Sequence, residues 1–182
     1  MNNIVTLSNI QKKYKDKNLS VIKNINFKFQ KGKIYSISGP SGSGKSTLLN
    51  LISLIDSPTK GKIKIDNTEI TNLNNEEKDK IRSNKIGIIY QDKNLLNDFT
   101  ALENIYLAGL AIDEDKNKIL IKAKKLLSKI GLSKRENHFP SELSGGEIQR
   151  IAICRAIINE PQIILADEPT GNLDKKNSVN VF

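Results

Sequence analysis

A stretch rich in glycine and serine carries the residue types that bind phosphate. It reads Gly39-Pro40-Ser41-Gly42-Ser43-Gly44-Lys45-Ser46-Thr47. Its glycines permit backbone angles closed to other residues, so consecutive N–H groups can turn toward one anion. A helix beginning near Lys45 would add its unpaired N–H groups and the positive end of its dipole. Lys45 would then reach the β- and γ-phosphates and the Ser46 hydroxyl would bind Mg²⁺, so the stretch predicts a nucleoside triphosphate site.

Two adjacent carboxylates, Asp167 and Glu168, follow the apolar run at residues 162–166. That run is typical of a buried strand. At its end, Asp167 can hold Mg²⁺ through water beside Ser46, and Glu168 can orient or deprotonate an attacking water. Paired carboxylates in a surface loop serve solubility, but in a chain with a phosphate-binding loop they favour catalysis.

A second candidate anion-binding segment precedes a predicted helix. It consists of Ser144-Gly145-Gly146 and is called the Ser144 tip below. Ile148, Ile151, Ala152 and Ala156 share one face of that helix. The Ser144 hydroxyl and the two glycine amides would lie at its N-terminus, aligned with the dipole. The neighbouring residues do not indicate which anion would bind there.

Two isolated residues could contribute to the same site. Tyr14 is the one aromatic residue in the first predicted loop, where its ring could stack on an adenine or simply be partly packed. Gln91 lies just past a predicted core strand, at the edge where open α/β sheets bind ligands.

The elements that would position these residues alternate between strands and helices, which predicts an α/β fold. The chain opens with an antiparallel β region, and a further strand at residues 33–38 leads into the glycine-rich loop. A buried helix at residues 48–55 follows that loop. The remaining predicted strands are 4–10, 21–29, 62–66, 86–90 and 162–166, and the remaining predicted helices are 74–83, 101–111 and 116–130.

Length and composition limit the other possibilities. The 182 residues fit one domain with a hydrophobic core, and the single cysteine, Cys154, falls in an apolar helical pattern typical of a packed thiol. No apolar run approaches the ~20 residues that span a bilayer, and the start at Met1 shows no signal peptide, so we expect a cytoplasmic chain. The net charge of +9 is compatible with nucleic acid, an anionic membrane surface or a generally solvated lysine-rich surface.

With the glycine-rich loop, Gln91, the Ser144 tip and the Asp167-Glu168 strand end in order, the whole chain resembles the ATP-binding-cassette (ABC) ATPases. The resemblance implies a P-loop NTPase with a RecA-like core, an antiparallel β subdomain and an inserted helical subdomain. It implies a single domain over residues 1–182, with residues 1–91 and 160–182 as the β and core part and 92–159 as the helical lobe with the signature helix.

The same resemblance implies a role for each motif. Residues 39–46 match the Walker A motif and residues 143–147 the signature. Single residues match as follows: Tyr14 the aromatic A-loop, Gln91 the catalytic and metal-binding Q-loop glutamine, Asp167 the Walker B aspartate, Glu168 the catalytic glutamate and Asp174 the D-loop residue.

Family mechanism then implies ATP and Mg²⁺ as cofactors and a head-to-tail dimer. Ser144 and the Gly145 and Gly146 amides of one copy would reach the γ-phosphate bound by Lys45 of the other. Gln91 and residues 95–107 would form a groove for a cytoplasmic helix of a membrane permease, on the inner face of the cell membrane. The motifs look most like cassettes for lipoprotein release, macrolide efflux and antimicrobial-peptide or bacteriocin export.

Two features depart from the family pattern. Glu147 stands where glutamine is commonest in the signature, and the sequence stops at Phe182, before the strand that carries the family's switch histidine. His138 precedes the signature and cannot take that role, so we expect a C-terminally truncated cassette. The alternatives are a non-transport cassette acting on nucleic acid or ribosomes, and a cassette that binds ATP without turnover.

Overall fold

The computed structural model of the protein describes residues 2–14, 19–91, 94–112 and 114–169. It forms two compact units, Met1–Asp79 and Lys80–Phe182. Within the described ranges, no helix combines the length and apolar character needed to cross a membrane.

The first unit contains an antiparallel sheet of four strands in the order β2-β1-β3-β4. These strands are β1 (Asn3–Tyr14), β2 (Leu19–Gln30), β3 (Lys60–Ile65) and β4 (Thr68–Glu69). Val5 pairs with Ile65 and Leu7 with Ile63, and all four side chains are buried. Because apolar residues alternate with lysines along β3, one face of this strand is buried and the other is solvated. The predicted antiparallel β region is confirmed.

The first strand is longer than the sequence predicts. The lysine-rich stretch after Ile10 was expected to be a loop, but Lys12, Lys13 and Tyr14 continue β1 by pairing with Ile22, Ser20 and Leu19. Ladder hydrogen bonds to a neighbouring strand outweigh the weak strand propensity of lysine. Tyr14 is therefore the last residue of a strand and not a loop residue.

The predicted strand at residues 33–38 is wrong. After the turn at residues 31–32, this segment has no strand assignment, and no strand in the described part of the first unit pairs with it. Tyr35 instead packs edge-on against Phe27 and Phe29 of β2, with ring centroids 5.7 and 5.0 Å apart. Its hydroxyl accepts a hydrogen bond from the Gln30 N–H at 3.0 Å. An apolar run without ladder partners does not form a strand, whatever its propensity.

Helix α1 (Lys45–Ile52) follows the glycine-rich loop and buries Leu48, Leu51 and Ile52. It begins where the sequence predicts but ends before the expected residue 55. Leu54 has a left-handed backbone with φ of 63°, which stops the helix. The next helix along the chain is α2 (Asn75–Lys85), close to the prediction, and the boundary between the two units falls within it.

The second unit contains two parallel strands, β5 (Ile86–Ile89) and β6 (Ile163–Ala166). Ile86 pairs with Ile163 and Ile89 with Ala166, so the strands are in register and end together. Gly87 of β5 lies against α5 (Gly145–Ile157): a Cβ at this position would lie 2.3 Å from the Ala156 carbonyl oxygen. Both strands agree with the prediction.

Three helices of the second unit share one hydrophobic core. They are α3 (Ala101–Gly109), α4 (Lys116–Lys129) and α5. The core consists of Ala101, Ile105, Ala123, Leu127, Leu132, Leu143, Ile151, Cys154 and Ile158. The predicted helices and the packed Cys154 thiol are confirmed, and burial raises the pKa of that thiol to about 11. The predicted division of the chain at residues 91 and 160 stays a prediction.

Candidate functional site

The glycine-rich loop adopts a conformation that only glycine reaches easily. Gly42 and Gly44 have φ of 78° and 93°, and Gly44 is the N-cap of α1. No side chain caps this helix start among the described residues, which leaves its first amides available to an anion. The hydroxyl of Ser46 and residues 39–43 are exposed around it.

Lys45 already points into the loop. Its ammonium donates to the carbonyl oxygens of Gly39 at 2.9 Å and Pro40 at 3.1 Å. These are backbone acceptors, weaker partners for a cation than an anionic phosphate oxygen. A phosphate chain would therefore replace the carbonyls around a lysine that is already in place.

Gly44 also brings the loop against strand β2. A Cβ on Gly44 would lie 2.9 Å from the Val21 side chain and 3.2 Å from the Val21 carbonyl oxygen. Two independent constraints, the positive φ and the lack of space, therefore require glycine here.

Tyr14 lies at the end of β1 in the same unit. Its hydroxyl donates to Asp56 at 3.1 Å, and the residue is 38% exposed. The ring is therefore anchored at its polar end and still accessible, as a stacking residue must be.

Gln91 and Glu168 meet at the ends of the two parallel strands. Because Ile89 pairs with Ala166, the residues that follow leave the sheet at one edge. The Gln91 amide donates to a Glu168 carboxylate oxygen at 2.9 Å, and the Asp167 N–H donates to the Ile89 carbonyl at 3.0 Å. Glu168 has a left-handed backbone with φ of 45°, an unfavourable conformation that is typical of functional positions.

Ser144 is the N-cap of α5 and forms a capping box with Glu147. The Ser144 N–H donates to the Glu147 carboxylate at 2.8 Å, and the Glu147 N–H donates to the Ser144 hydroxyl at 3.3 Å. Arg135 donates to the other Glu147 oxygen at 3.2 Å. The backbone and hydroxyl of Ser144, and then Arg135, hold the pKa of the Glu147 carboxyl below its usual range. Glu147 therefore acts as a helix cap, while Ser144 and Gly145 remain exposed.

The first unit thus contains Tyr14 and residues 39–47, and the second contains Gln91, Asp167, Glu168 and the tip at Ser144. Of the second group, the structure brings Gln91 into contact with Glu168. His138 lies in a loop, where its ring nitrogen is 3.0 Å from Arg135. Asp174 lies outside the described residues.

Asn104 and Arg155 hold residues 94–100 in place, and neither was predicted from the sequence. Asn104 is 1% exposed and bonds the backbone of Leu96, Phe99 and Thr100. Arg155 of α5 donates to the Asn94 carbonyl at 2.5 Å. One local pattern could have indicated this role. Thr100-x-x-Glu103 predicts a capping box at the start of α3, and Asn104 follows it directly, as a polar residue on the first turn of a mostly apolar helix.

A family profile described as ABC transporter matches residues 22–171. The chain belongs to the ABC transporter family. It is accordingly an ABC-type ATPase, with the α/β P-loop fold of these cassettes.

Individual relatives agree with this assignment. The lipoprotein-releasing system ATP-binding protein LolD of Rickettsia bellii (strain RML369-C) is 45% identical over 183 residues, covering 100% of this chain and 80% of the relative. The protein of the same name from Shewanella frigidimarina (strain NCIMB 400) is 41% identical over 181 residues, covering 98% and 76%.

Solved cassette structures are similar over nearly the whole chain. One is the dimeric post-hydrolysis state of the ATP-binding cassette MJ0796 bound to ADP and Pi, with a TM-score of 0.89, 42% identity and coverage of 97% of this chain and 79% of that one. Another dimeric structure of MJ0796, a bacterial ABC transporter cassette, gives a TM-score of 0.88 at 41% identity, with coverage of 97% and 79%.

Proposed function

We propose that this cassette hydrolyses ATP with Mg²⁺ to drive a lipoprotein-releasing transporter, as a dimer bound to a separate membrane permease. The observation that carries the proposal is the Gln91–Glu168 hydrogen bond at the common end of two parallel strands, in a chain that also has a P-loop. Similarity to two LolD proteins over nearly the whole chain supports the lipoprotein assignment.

The P-loop residues would bind the triphosphate. The amides around Gly42 and Gly44 and the start of α1 would surround the β-phosphate, and Lys45 would exchange its two carbonyl partners for phosphate oxygens. The neighbouring residues Pro40, Ser41, Ser43 and Thr47 complete the loop.

The oxygen donors of this chain fit Mg²⁺. Ser46, Gln91 and Asp167 supply a hydroxyl, an amide and a carboxylate, the oxygen ligand types that this ion prefers. Gln91 and Asp167 follow strands that end in register. When bound, the ion would neutralise charge on the phosphate oxygens.

Glu168 would orient or deprotonate the attacking water. Its contact with Gln91 holds the carboxylate at the strand end, so the side chain is oriented before the nucleotide arrives. Gln91 thereby links the catalytic carboxylate to the segment at residues 94–100, which α3 and α5 hold in place.

In a dimer, the anion at the Ser144 tip would be the ATP bound by the other copy. Ser144, Gly145 and Gly146 of one copy would contact the γ-phosphate held by Lys45 of the other. Asp174 stays the predicted D-loop residue. The similar MJ0796 cassette has been described as a dimer. The capping box leaves Ser144 and Gly145 exposed, as this role requires.

The permease would dock on the helical lobe, in a groove that includes Gln91 and residues 95–107. With such a partner, the cassette would lie in the cytoplasm, on the inner face of the membrane. We further propose that residues 92–159 form the helical lobe and residues 1–91 and 160–182 the β and core part.

Nucleotide binding and turnover test the enzymatic half of the proposal. Lys45→Ala should abolish ATP binding, measured by displacement of a fluorescent ATP analogue, while Lys62→Ala, an exposed lysine of β3, should bind like wild type. Glu168→Gln should keep the affinity, lose ~10²–10⁴-fold in turnover and accumulate an ATP-dependent dimer by gel filtration with light scattering. A Glu168→Gln protein that stays monomeric at saturating ATP would contradict the proposal.

Release of lipoprotein from proteoliposomes tests the transport half. The cassette is reconstituted with the membrane subunits that copurify with it, and release of an acylated lipoprotein is measured with and without ATP. We expect ATP-dependent release that Lys45→Ala eliminates and that an unacylated form of the same lipoprotein does not show. Release at equal rates with Lys45→Ala would refute the assignment.

A further inference from the structure

The Tyr14 side chain is held by residues that follow the P-loop helix. Its hydroxyl donates to one carboxylate oxygen of Asp56 at 3.1 Å. Lys12 donates to the other carboxylate oxygen at 2.5 Å and to the Ser57 carbonyl at 2.9 Å. A single carboxylate therefore receives the hydrogen bonds of two side chains that project from the end of β1.

Lys12 also contacts the ring itself. Its ammonium lies 4.9 Å from the centroid of the Tyr14 ring, within the range of a cation–π interaction. The Lys12 side chain is 11% exposed, whereas Tyr14 is 38% exposed. The lysine thus covers part of the aromatic ring and leaves the rest accessible.

Asp56 is in turn fixed to the P-loop helix. The N–H groups of Ile55 and Asp56 both donate to the Asn50 carbonyl of α1, each at 3.1 Å. Tyr14 pairs with Leu19 on β2, two residues before Val21, which lies against Gly44. The end of β1 is therefore connected to the phosphate-binding loop by two routes, through β2 and through α1.

The Asp56 carboxylate is charged at neutral pH. Burial would raise its pKa, but the hydrogen bond and charge of Lys12, with the Ser57 N–H and the Tyr14 hydroxyl, lower the pKa below its usual value. A charged acceptor makes each of these hydrogen bonds stronger than a neutral one.

We propose that Asp56 and Lys12 are positioning residues that hold the Tyr14 ring at a fixed place beside the P-loop, where it receives the adenine of ATP. This inference rests on the proposed function, since it requires that the P-loop binds ATP. Without the Asp56 link, the tyrosine would sample several rotamers, and stacking would cost more ordering entropy.

The test compares a ligand with a base and a ligand without one. Binding of ATP and of inorganic tripolyphosphate is measured by competition with a fluorescent ATP analogue. Tyr14→Ala should weaken ATP binding about tenfold, and Asp56→Asn about three- to tenfold. Both variants should bind tripolyphosphate within about twofold of wild type, since the phosphates do not contact the ring.

A double-mutant cycle and a conservative variant separate positioning from general damage. Asp56→Asn and Tyr14→Phe should not be additive for ATP, because both weaken the same contact: Asp56→Asn keeps one neutral acceptor oxygen in place of two charged ones, and Tyr14→Phe removes the donor. Lys12→Arg should keep ATP affinity, while Lys12→Met should weaken ATP binding about three- to tenfold. Glu69→Gln, which also removes a carboxylate bonded to a lysine in this unit, is the matched control and should have no effect.

Each alternative result has a distinct meaning. Equal losses for ATP and tripolyphosphate would overturn the inference, since Asp56 would then act through the P-loop helix. Unchanged ATP affinity in both Asp56→Asn and Tyr14→Phe would overturn it as well. A wild-type protein that binds neither ligand would overturn the proposed function itself, a result distinguishable from these two.

Discussion

The hydrogen bonds between Asn104 and the backbone of residues 96–100 allow a quantitative prediction. Its side-chain oxygen accepts from the Leu96 N–H at 2.8 Å. Its amide group donates to the carbonyls of Leu96, Phe99 and Thr100 at 3.0, 2.9 and 3.0 Å. Because the residue is 1% exposed, water cannot replace these partners without rearrangement. The Asn104→Ala substitution would remove the side-chain hydrogen-bond partner of one backbone N–H and three backbone carbonyls.

The expected cost follows from the number of hydrogen bonds lost. Each is worth about 1 kcal/mol net, and a group left buried without a partner costs about 1–3 kcal/mol. We therefore expect Asn104→Ala to lower the free energy of unfolding by about 2–4 kcal/mol. For a chain of this size each kcal/mol corresponds to roughly 2–4 °C in melting temperature.

Asn104→Asp changes few atoms but replaces the donors with a carboxylate that faces three carbonyl oxygens. Repulsion and burial should raise the folded-state pKa of the introduced carboxyl above its unfolded value of about 3.9. The protonated form is then favoured in the folded state, so the destabilisation should grow as the pH rises from about 4 to 7. Asn104→Ala should show no such additional pH dependence.

The assay is urea unfolding followed by far-ultraviolet circular dichroism, at pH 4 and pH 7. Asn117→Ala, an exposed asparagine in the first turn of α4, is the control and should change stability by less than about 0.5 kcal/mol. An Asn104→Ala protein with the same urea midpoint and slope as wild type would refute the reasoning, since the four contacts would then carry no net free energy.

Four further predictions concern packing, capping and thiol reactivity. Gly87→Ala should lower the free energy of unfolding by about 1–3 kcal/mol in urea titrations, because the new methyl would lie 2.3 Å from the Ala156 carbonyl oxygen; unchanged stability would contradict this packing. Ser144→Ala should cost about 1 kcal/mol. The stabilisation from Glu147 should be complete above its unfolded pKa and disappear as the pH falls through its lowered folded pKa; pH-dependent unfolding of wild type and Glu147→Gln measures the difference. Cys154 should react with a thiol reagent at pH 8 far more slowly in the folded protein than in urea, because burial raises its pKa to about 11; equal rates would show that the thiol is accessible.

Local patterns predicted most of the secondary structure. The period-two alternation in residues 21–29 and the 3.6-residue period in residues 116–130 correspond to β2 and α4 within a few residues. Gly131 ends α4 as expected, with φ of 73° and a hydrogen bond from the Leu132 N–H to the Leu127 carbonyl. These features depend on neighbours in sequence, so they can be read from the chain directly.

The errors arose where a distant partner decided the conformation. The segment at residues 33–38 has the composition of a strand, but Tyr35 packs on β2 and no ladder forms in the described part of its unit. The lysines before Tyr14 suggested a loop, but pairing with β2 extends β1 through them. Propensity is a weak guide to strands because pairing supplies most of their stability.

The sequence by itself determined the family and the residue types of the glycine-rich loop, the strand-end carboxylates and the Ser144 tip, because each motif is a short run of neighbouring residues. Only the tertiary structure decided that Tyr14 is bonded to Asp56, 42 residues away, and Gln91 to Glu168, 77 residues away. It also revealed Asn104 as the anchor of residues 96–100, which precede α3. Contacts between residues so far apart depend on how the strands and helices pack, and no local pattern encodes that packing.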